Sequence, residues 1–181
     1  MFKRLLIANR GEIALRVARA CRELDIDPVM VYSEADRDAL HVQLAAHAYC
    51  IGPAPAQQSY LNGDAILTVA KAAGCDAIHP GYGFLSENAA FAQECVDEGF
   101  AYVGPAAHVI AAMGNKAAAR EMMKRAGVPV VPGSDGSVAN AYEVARIAKE
   151  IGYPVLIKAA AGGGGRGMRR VYYPDRFEEL F

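Results

Sequence analysis

The sequence predicts an α/β fold, in which a mostly parallel sheet carries helices on both faces. Short apolar runs of strand length alternate with segments of helical periodicity, beginning with Phe2–Ala8 and Gly11–Leu24. Many of these segments also end at a glycine or a Pro-Gly pair, the residues that mark boundaries between elements. Strands that alternate with helices usually pair in parallel and are covered by the helices that connect them.

The first half of the chain contains this alternation in full. The strand-like runs are Phe2–Ala8, Pro28–Tyr32, Ala48–Ile51, Asp76–His79 and Phe100–Val103. The helical segments are Gly11–Leu24, Tyr60–Ala73 and Asn88–Glu98. In the first helix, apolar residues at helical spacing predict a core-facing side made of Ile13, Val17, Cys21 and Leu24. Crossovers between parallel strands are expected to be right-handed.

The pattern changes near residue 105. A long helical stretch, Ala106–Ala126, is followed by a helix over Tyr142–Ile151 and by strands over Pro154–Ala159 and Met168–Tyr173. Pro174-Asp175 opens another helix, and the chain ends inside it. We therefore expect a complete domain over residues 1–113 and an incomplete, smaller α+β domain over residues 114–181 of a longer protein.

Charge and composition exclude several classes of function. The chain has 19 Lys and Arg residues against 20 Asp and Glu, whereas nucleic-acid-binding domains usually carry a basic excess. No apolar run reaches the roughly 18 residues that a membrane span needs. No leader precedes the first strand, so we expect a cytoplasmic protein. The cysteines form no CxxC pair and the histidines no HxxxH or HExxH pattern, which argues against a metal site built from them.

The turn after the first strand, Ala8-Asn9-Arg10-Gly11-Glu12, is a weak candidate for an anion site. A strand, a glycine turn and a helix N-terminus can bind phosphate in a Rossmann-like arrangement. A dinucleotide fingerprint has three glycines where this turn has one, and the acidic Glu12 opens the helix. NAD binding is therefore disfavoured, and a tight turn with a polar rim is the default interpretation.

The first helix also carries a stripe of charge beside its apolar side. Arg16, Arg19 and Glu23 share one face, and Glu12–Arg16 and Arg19–Glu23 have the i,i+4 spacing of helical ion pairs. Such a stripe is usually a solvated face, and an interface is the alternative.

The segment from His79 to Asn88 follows a strand, at the edge where α/β sheets place ligands. Gly81 and Gly83 allow the backbone to approach a ligand closely, and Tyr82 and Phe84 add flat apolar surface. Ser86 is the expected N-cap of the next helix. A ligand-binding loop and a simple turn with buried aromatic rings both remain open from composition alone.

A glycine run between the last two strands is the strongest local signal. Lys158 ends an apolar strand, and Gly162–Gly165 and Gly167 follow it within a few residues. Backbone N–H groups of such a run can surround phosphate oxygens, with the lysine as a point charge. The pattern is not a Walker A loop, because no Gly-Lys-Ser/Thr precedes a helix. A hairpin turn is the alternative interpretation of this run. The upstream Lys116, considered alone, is expected to be a surface lysine.

Five segments together resemble biotin carboxylase, a member of the ATP-grasp superfamily, and they occur in the same order. They are Ile7-Ala8-Asn9-Arg10-Gly11-Glu12-Ile13-Ala14, Cys50-Ile51-Gly52-Pro53, residues 79–88, Val131-Pro132-Gly133-Ser134 and residues 162–168. The resemblance covers essentially the whole chain. It implies a Rossmann-like N-terminal domain followed by most of an ATP-grasp lid. The implied reaction activates bicarbonate with ATP through carboxyphosphate and carboxylates biotin on a carrier.

The resemblance assigns roles to residues in both halves of the chain. Residues that match the family's ATP-binding positions are Lys116 and Lys158, which hold phosphates, and Gly164 and Gly165 in the lid loop. Residues that match positions beside the biotin ring are Tyr82 and Gly83. Residues that match the helix of the family's homodimer contact are Arg16, Arg19 and Glu23.

The same resemblance implies what the chain does not contain. The family's Mg²⁺ ligands, its bicarbonate-binding arginine, its catalytic base and its adenine pocket correspond to positions beyond residue 181. We therefore expect no catalytic or metal-binding residue in this chain, and no activity from it alone. The implied partners are a biotin carboxyl carrier protein or domain and a carboxyltransferase of an acetyl-CoA, propionyl-CoA or pyruvate carboxylase. The alternatives are another ATP-grasp ligase, such as a carbamoyl-phosphate synthetase half, and a truncated, non-catalytic dimerisation module.

Overall fold

The computed structural model describes residues 2–114, 116–134, 136, 138, 140–158 and 167–174, with the side chains of residues 116 and 117 excepted. The chain divides into two compact units, Met1–Ala111 and Ala112–Phe181. Within the described part of the chain, no helix combines the length and the apolar character needed to cross a bilayer.

The first unit is built on a five-stranded parallel sheet, which confirms the predicted fold class. Its strands are β1 (Arg4–Ile7), β2 (Asp27–Tyr32), β3 (His47–Cys50), β4 (Ala77–His79) and β5 (Ala101–Tyr102). Their order across the sheet is β3-β2-β1-β4-β5. The central strand β1 therefore has β2 on one side and β4 on the other, and Ile7 lies opposite both Met30 and His79.

Helices cover both faces of this sheet. They are α1 (Gly11–Glu23), α2 (Leu40–Gln43), α3 (Gly63–Ala72) and α4 (Ala89–Asp97), while α5 (Ala107–Gly114) follows β5 and 3-10 turns lie at Glu34–Asp36 and Ala56–Gln58. Alternate residues of β1 face opposite sides, so Ile7 packs with α1 and Leu6 packs with α3 and α4. Both faces of β1 are buried, which explains its continuous apolar run.

Several predicted boundaries differ from the observed ones. Leu24 was expected in the core, but it is 56% exposed because α1 ends at Glu23 and Leu24 is its C-cap. The third helix was expected from Tyr60, but it begins at Gly63, where the Asn62 side chain accepts a hydrogen bond from the Ala65 N–H. Tyr60 instead lies buried in the preceding turn.

The long stretch Ala106–Ala126, expected as helical, is described as two helical segments, and residue 115 between them lies outside the described residues. They are α5 (Ala107–Gly114) and α6 (Lys116–Arg125), on either side of residue 115. Both segments are helical as expected.

The second unit contains α6, the helix α7 (Ala141–Ile151) and an antiparallel pair of strands, β6 (Val155–Ile157) and β7 (Arg169–Val171). The Asn140 side chain caps α7 by accepting a hydrogen bond from the Glu143 N–H. Ala148 and Val171 form its small buried core. The helix expected after Pro174 lies almost entirely outside the described residues.

Candidate functional site

A cleft of about 410 Å³ opens at the carboxyl ends of β1 and β4. From β1 the chain goes on to β2 and β3 on one side of β1. On the other side of β1 lie β4 and β5. Open α/β sheets bind ligands at such a switch point. Two segments that the sequence singled out separately line it together: the turn from Asn9 to Ile13 and the loop from Tyr82 to Phe84. Asp36, which follows β2, completes the wall.

Asn9 joins the two segments. Its side chain is buried, and its amide nitrogen donates hydrogen bonds to the carbonyl oxygens of Pro80, at 2.7 Å, and Tyr82, at 2.8 Å. Its side-chain oxygen accepts from the Arg10 N–H at 2.9 Å. The amide thus has partners for both its donor and its acceptor atoms. It holds the loop after β4 (residues 80–84, the β4 loop) against the turn after β1 (residues 9–13, the β1 turn).

The β4 loop depends on left-handed backbone conformations. Gly81 and Gly83 have φ values of 67° and 69°. A Cβ atom on Gly81 would lie 2.8 Å from the Asn9 amide nitrogen and 3.0 Å from Ile13 Cγ1, so this position requires glycine for space as well as for conformation. The same addition at Gly83 meets no atom within 4 Å. Gly83 therefore leaves an open backbone at the surface of the cleft.

Tyr82 is 61% exposed, and its hydroxyl donates a 2.8 Å hydrogen bond to Glu12 Oε2. This bond to the carboxylate raises the pKa of Tyr82 above its usual value. The Tyr82 hydroxyl thus holds Glu12 across the cleft. Among the described residues, Glu12 does not form the i,i+4 ion pair with Arg16 that the spacing suggested. In the described part of the chain, Arg19 and Glu23, which have the same spacing, do not form a salt bridge either.

His79 ends β4 and shapes the start of the loop. Its Nδ1 accepts a 2.9 Å hydrogen bond from the Gly81 N–H. Burial, assisted by the positive charge of Arg16, lowers the pKa of His79. The imidazole is therefore neutral near pH 7, with Nδ1 as the unprotonated nitrogen.

A polar network supports the cleft from the β2 side. Asp36 accepts hydrogen bonds from the Tyr60 hydroxyl at 2.8 Å, from the Ser33 hydroxyl at 2.9 Å and from the Arg10 guanidinium at 3.0 and 3.2 Å. Burial opposes ionisation of Asp36, but these donors outweigh it and hold its pKa below the usual value. Burial raises the pKa of Tyr60 to about 12, so its hydroxyl stays protonated and donates.

The N-terminus of α4 differs from the prediction. Ser86 was expected as the N-cap, but the helix begins at Ala89 and Asn88 is the cap, with its Oδ1 accepting from the Phe91 N–H at 3.1 Å. Residues 84–87 continue the loop instead. The loop is therefore longer than the sequence indicated, and Tyr82 does not bury its ring.

The residues expected at the ATP site lie in the second unit. Lys116 is the first residue of α6, and its side chain lies outside the described residues. Lys158 directly follows β6 and is exposed. Gly164 and Gly165 also lie outside the described residues. The antiparallel register places Arg169 of β7 opposite Ile157, so a second cation lies beside the end of the strand that carries Lys158.

The expected dimer residues occupy one exposed side of α1. Arg16, Arg19 and Glu23 are all exposed, while Ile13 and Val17 of the same helix are buried against the sheet. The helix thus presents a mixed-charge face away from the core.

Sequence reasoning missed three residues of the cleft region: Asn9, Asp36 and Tyr60. Asn9 was noted only as part of a turn, and its bond to Tyr82 spans 73 positions in the sequence. Asp36 lies between recognised elements, Tyr60 was noted only as the start of a predicted helix, and their hydrogen bond spans 24 positions. The only local signal was the placement of Asn9 and Asp36 just after buried strands, where parallel sheets collect polar groups.

Comparison with known proteins places both units among characterised families. Residues 1–110 match the family described as "Biotin carboxylase, N-terminal domain". Residues 115–181 match the family described as "Carbamoyl-phosphate synthase L chain, ATP binding domain". Biotin carboxylase 1 of Bacillus subtilis (strain 168) is 62% identical over 169 residues, which cover 93% of this chain and 38% of that protein.

Two solved structures resemble the chain over 99% of its length. A biotin carboxylase–β-γ-ATP complex from Campylobacter jejuni has a TM-score of 0.92 at 50% identity, with 40% of that chain covered. The biotin carboxylase domain dimer of Hydrogenobacter thermophilus 2-oxoglutarate carboxylase, with MgADP, ADP and bicarbonate, has a TM-score of 0.89 at 54% identity, with 39% covered. The chain spans about 40% of the length of the curated relatives that it matches.

Proposed function

Because this chain belongs to the biotin carboxylase family, we propose that it is the N-terminal part of an ATP-dependent ligase that carboxylates biotin with bicarbonate. The observation that carries the proposal is the β4 loop, whose Tyr82 and Gly83 line the cleft at the switch point of the sheet. A carbamoyl-phosphate synthetase half and a truncated dimerisation module are not favoured. Residues 1–110 match the biotin carboxylase domain, and the similarity continues through the ATP-binding unit.

Biotin is the proposed ligand of the β4 loop. Tyr82 offers an exposed aromatic ring, and Gly83 offers a backbone with no side chain in the way. A bicyclic ring with polar edges needs a flat apolar contact and a few fixed hydrogen-bonding groups. Asn9 supports this arrangement by fixing the carbonyls on both sides of Gly81.

ATP is the proposed ligand of the second unit. Lys116 and Lys158 would bind its phosphates as point charges, and Gly164 and Gly165 would approach them through the backbone. The exposure of Lys158 at the end of β6 supports this role. The Campylobacter relative, solved as a β-γ-ATP complex, supports the ligand. In this reaction ATP supplies the phosphoryl group that activates bicarbonate.

Mg²⁺ and the reacting groups are proposed to lie in the remainder of the enzyme. Among the residues that the structure describes, no three His, Cys, Asp or Glu side chains lie close enough together to hold a metal ion. The donors that this part supplies are lysines and backbone N–H groups, which fit phosphate and do not fit Mg²⁺. The MgADP and bicarbonate of the Hydrogenobacter relative support both as ligands of the complete enzyme.

The complete enzyme is proposed to act in the cytoplasm as a homodimer, with Arg16, Arg19 and Glu23 at the contact. The exposed charged face of α1 supports this interface, and the Hydrogenobacter relative was solved as a dimer. Its partners would be a biotin carboxyl carrier protein or domain and a carboxyltransferase. Acetyl-CoA, at the entry to fatty acid biosynthesis, propionyl-CoA and pyruvate are the acceptors to assay.

The test is bicarbonate-dependent ATP cleavage by the complete enzyme, with and without free biotin. Biotin should stimulate ADP release, and Lys158→Ala should lower that rate by at least about 10-fold, because it removes a charge that holds phosphate. Lys149→Ala is the matched control, since Lys149 is an exposed lysine on α7. Absence of biotin stimulation in the wild type, or equal rates for the two variants, would contradict the proposal.

A further inference from the structure

Phe84 has a backbone conformation that its own side chain disfavours. Its φ is 41°, and among the described residues the only other non-glycine residue with a positive φ is Asp25, of a type that tolerates it. A bulky aromatic residue in the left-handed region is uncommon. The surrounding structure must therefore hold Phe84 in place.

Tyr60 provides that support. Its ring stacks on the Phe84 ring with centroids 5.0 Å apart and planes inclined by 20°. Tyr60 is only 2% exposed, so this stack is the buried side of the loop. An aromatic pair of this geometry is attractive beyond the area that it buries.

The orientation of the Tyr60 ring is fixed at its other end. Its hydroxyl donates to Asp36 Oδ2 at 2.8 Å and accepts from the Ser33 N–H at 2.9 Å. Asp36 is in turn held by Arg10, whose guanidinium also lies 5.8 Å from the centre of the Tyr60 ring. The ring that supports Phe84 is thus held by groups from the segment after β2, Ser33 and Asp36, and by Arg10 of the turn after β1.

The loop is therefore held on two sides. Asn9 binds the carbonyls of Pro80 and Tyr82, and Tyr60 supports Phe84. Gly83 lies between these two anchors, where an added Cβ would meet no atom within 4 Å, and its carbonyl oxygen accepts a 2.9 Å hydrogen bond from the Ser86 N–H. Loss of either anchor would loosen the backbone at Gly83.

We propose that Tyr60 is a positioning residue for the biotin loop. Through its stack on Phe84 it keeps Tyr82 and Gly83 in the conformation that receives the biotin ring, while Asp36 fixes the plane of the Tyr60 ring. Tyr60 itself does not touch the substrate. This inference rests on the proposed function of the loop.

The test measures steady-state kinetics of the complete enzyme with free biotin and with ATP. Tyr60→Leu removes the stack and should raise the KM for biotin by at least about 5-fold relative to the KM for ATP, because only the biotin loop loses its support. Tyr60→Phe keeps the stacked ring but loses the hydroxyl that Asp36 holds, so it should raise that ratio by less than Tyr60→Leu does. Tyr49→Leu, a partly exposed tyrosine on β3, is the matched control.

A second variant approaches the same stack from the loop. Phe84→Leu should raise the KM for biotin as Tyr60→Leu does, and it remains informative if Tyr60→Leu fails to fold. The double variant should be no worse than the poorer single variant, because both remove one interaction. Equal changes in both KM values, or additive effects, would overturn the inference. A wild type without biotin-stimulated ATP cleavage would instead overturn the proposed function.

Discussion

At the residue scale, a single buried amide connects the two halves of the cleft. Asn9 is 2% exposed and donates to two backbone carbonyls that lie two residues apart in the β4 loop. A buried carbonyl that loses its donor keeps the full cost of its desolvation. The hydrogen-bonding groups of the side chain at position 9 should therefore affect the stability of the protein far more than its size does.

Asn9→Asp should destabilise the protein by on the order of 3 kcal/mol, because a carboxylate of the same shape would face two carbonyl oxygens. Asn62→Asp is the control, since Asn62 caps α3 as an acceptor and aspartate caps equally well. The free energy of unfolding in urea measures both. A loss for Asn9→Asp no larger than for Asn62→Asp would contradict this role.

The cleft side chains show where sequence reasoning stops. Tyr82 and Gly83 could be singled out because two glycines and two aromatics stand together after a strand. Asp36 and Tyr60 could not, because each looks ordinary beside its neighbours in the sequence, and their importance lies in a contact across 24 positions. Lys116, Lys158, Gly164 and Gly165 stay predictions for the ATP site.

At the scale of elements, the strands and α1 were predictable because burial imposes a regular spacing of apolar residues on the sequence. β1 is buried on both faces, and α1 buries Ile13, Val17 and Cys21 at helical spacing. The short helix α2 was missed, because its four residues are too few for a period and its Leu40 is exposed. Ser86 was mistaken for the cap of α4 because Asn88, two residues later, offers the same acceptor chemistry.

The helix α2 also carries the most isolated polar side chain of the first unit. His41 is fully buried, and neither ring nitrogen has a hydrogen-bond partner within the described part of the chain. Burial lowers the pKa of His41, although the nearby Val31 carbonyl and the Asp36 carboxylate oppose this shift. The fold therefore requires the neutral imidazole.

Stability should consequently fall as the pH drops below about 6.5, the ordinary pKa of histidine, because the unfolded chain binds a proton there that the folded chain resists. His41→Phe removes this linkage and should flatten the dependence of the unfolding free energy between pH 7 and pH 5.5. Part of the pH dependence should remain, because burial also lowers the pKa of His79. His108→Phe, at an exposed histidine, is the control, and an equal flattening by both would contradict the assignment.

At the scale of the whole molecule, strand order creates the cleft. The alternation of strands and helices predicts a parallel sheet, but it does not state which strands are neighbours. The observed order β3-β2-β1-β4-β5 brings the carboxyl ends of β1 and β4 together, although Ile7 and His79 are about 70 positions apart in the sequence. The β1 turn and the β4 loop, analysed separately in the sequence, become one site only through this order.

The charged face of α1 leads to a prediction about assembly. In the complete enzyme, Arg19→Glu should weaken the homodimer by at least about 10-fold in Kd, because reversing a charge at an interface places like charges together. Lys149→Glu, on an exposed side of α7, is the control. Sedimentation at micromolar concentration measures both, and an unchanged Arg19→Glu dimer would rule out this face as the contact.

The 181-residue chain by itself is expected to fold its first unit and not to turn over ATP. That unit has its own sheet and a core on each face, so it can be stable alone. The second unit offers lysines for phosphate, but its described residues hold no carboxylate cluster for Mg²⁺. Without the metal and the acid–base groups, several kcal/mol of transition-state stabilisation are lost, and each ~1.4 kcal/mol is tenfold in rate. With ATP, Mg²⁺, bicarbonate and biotin, ADP release should equal that of a Lys158→Ala control; a rate above that control would place the active site within these residues.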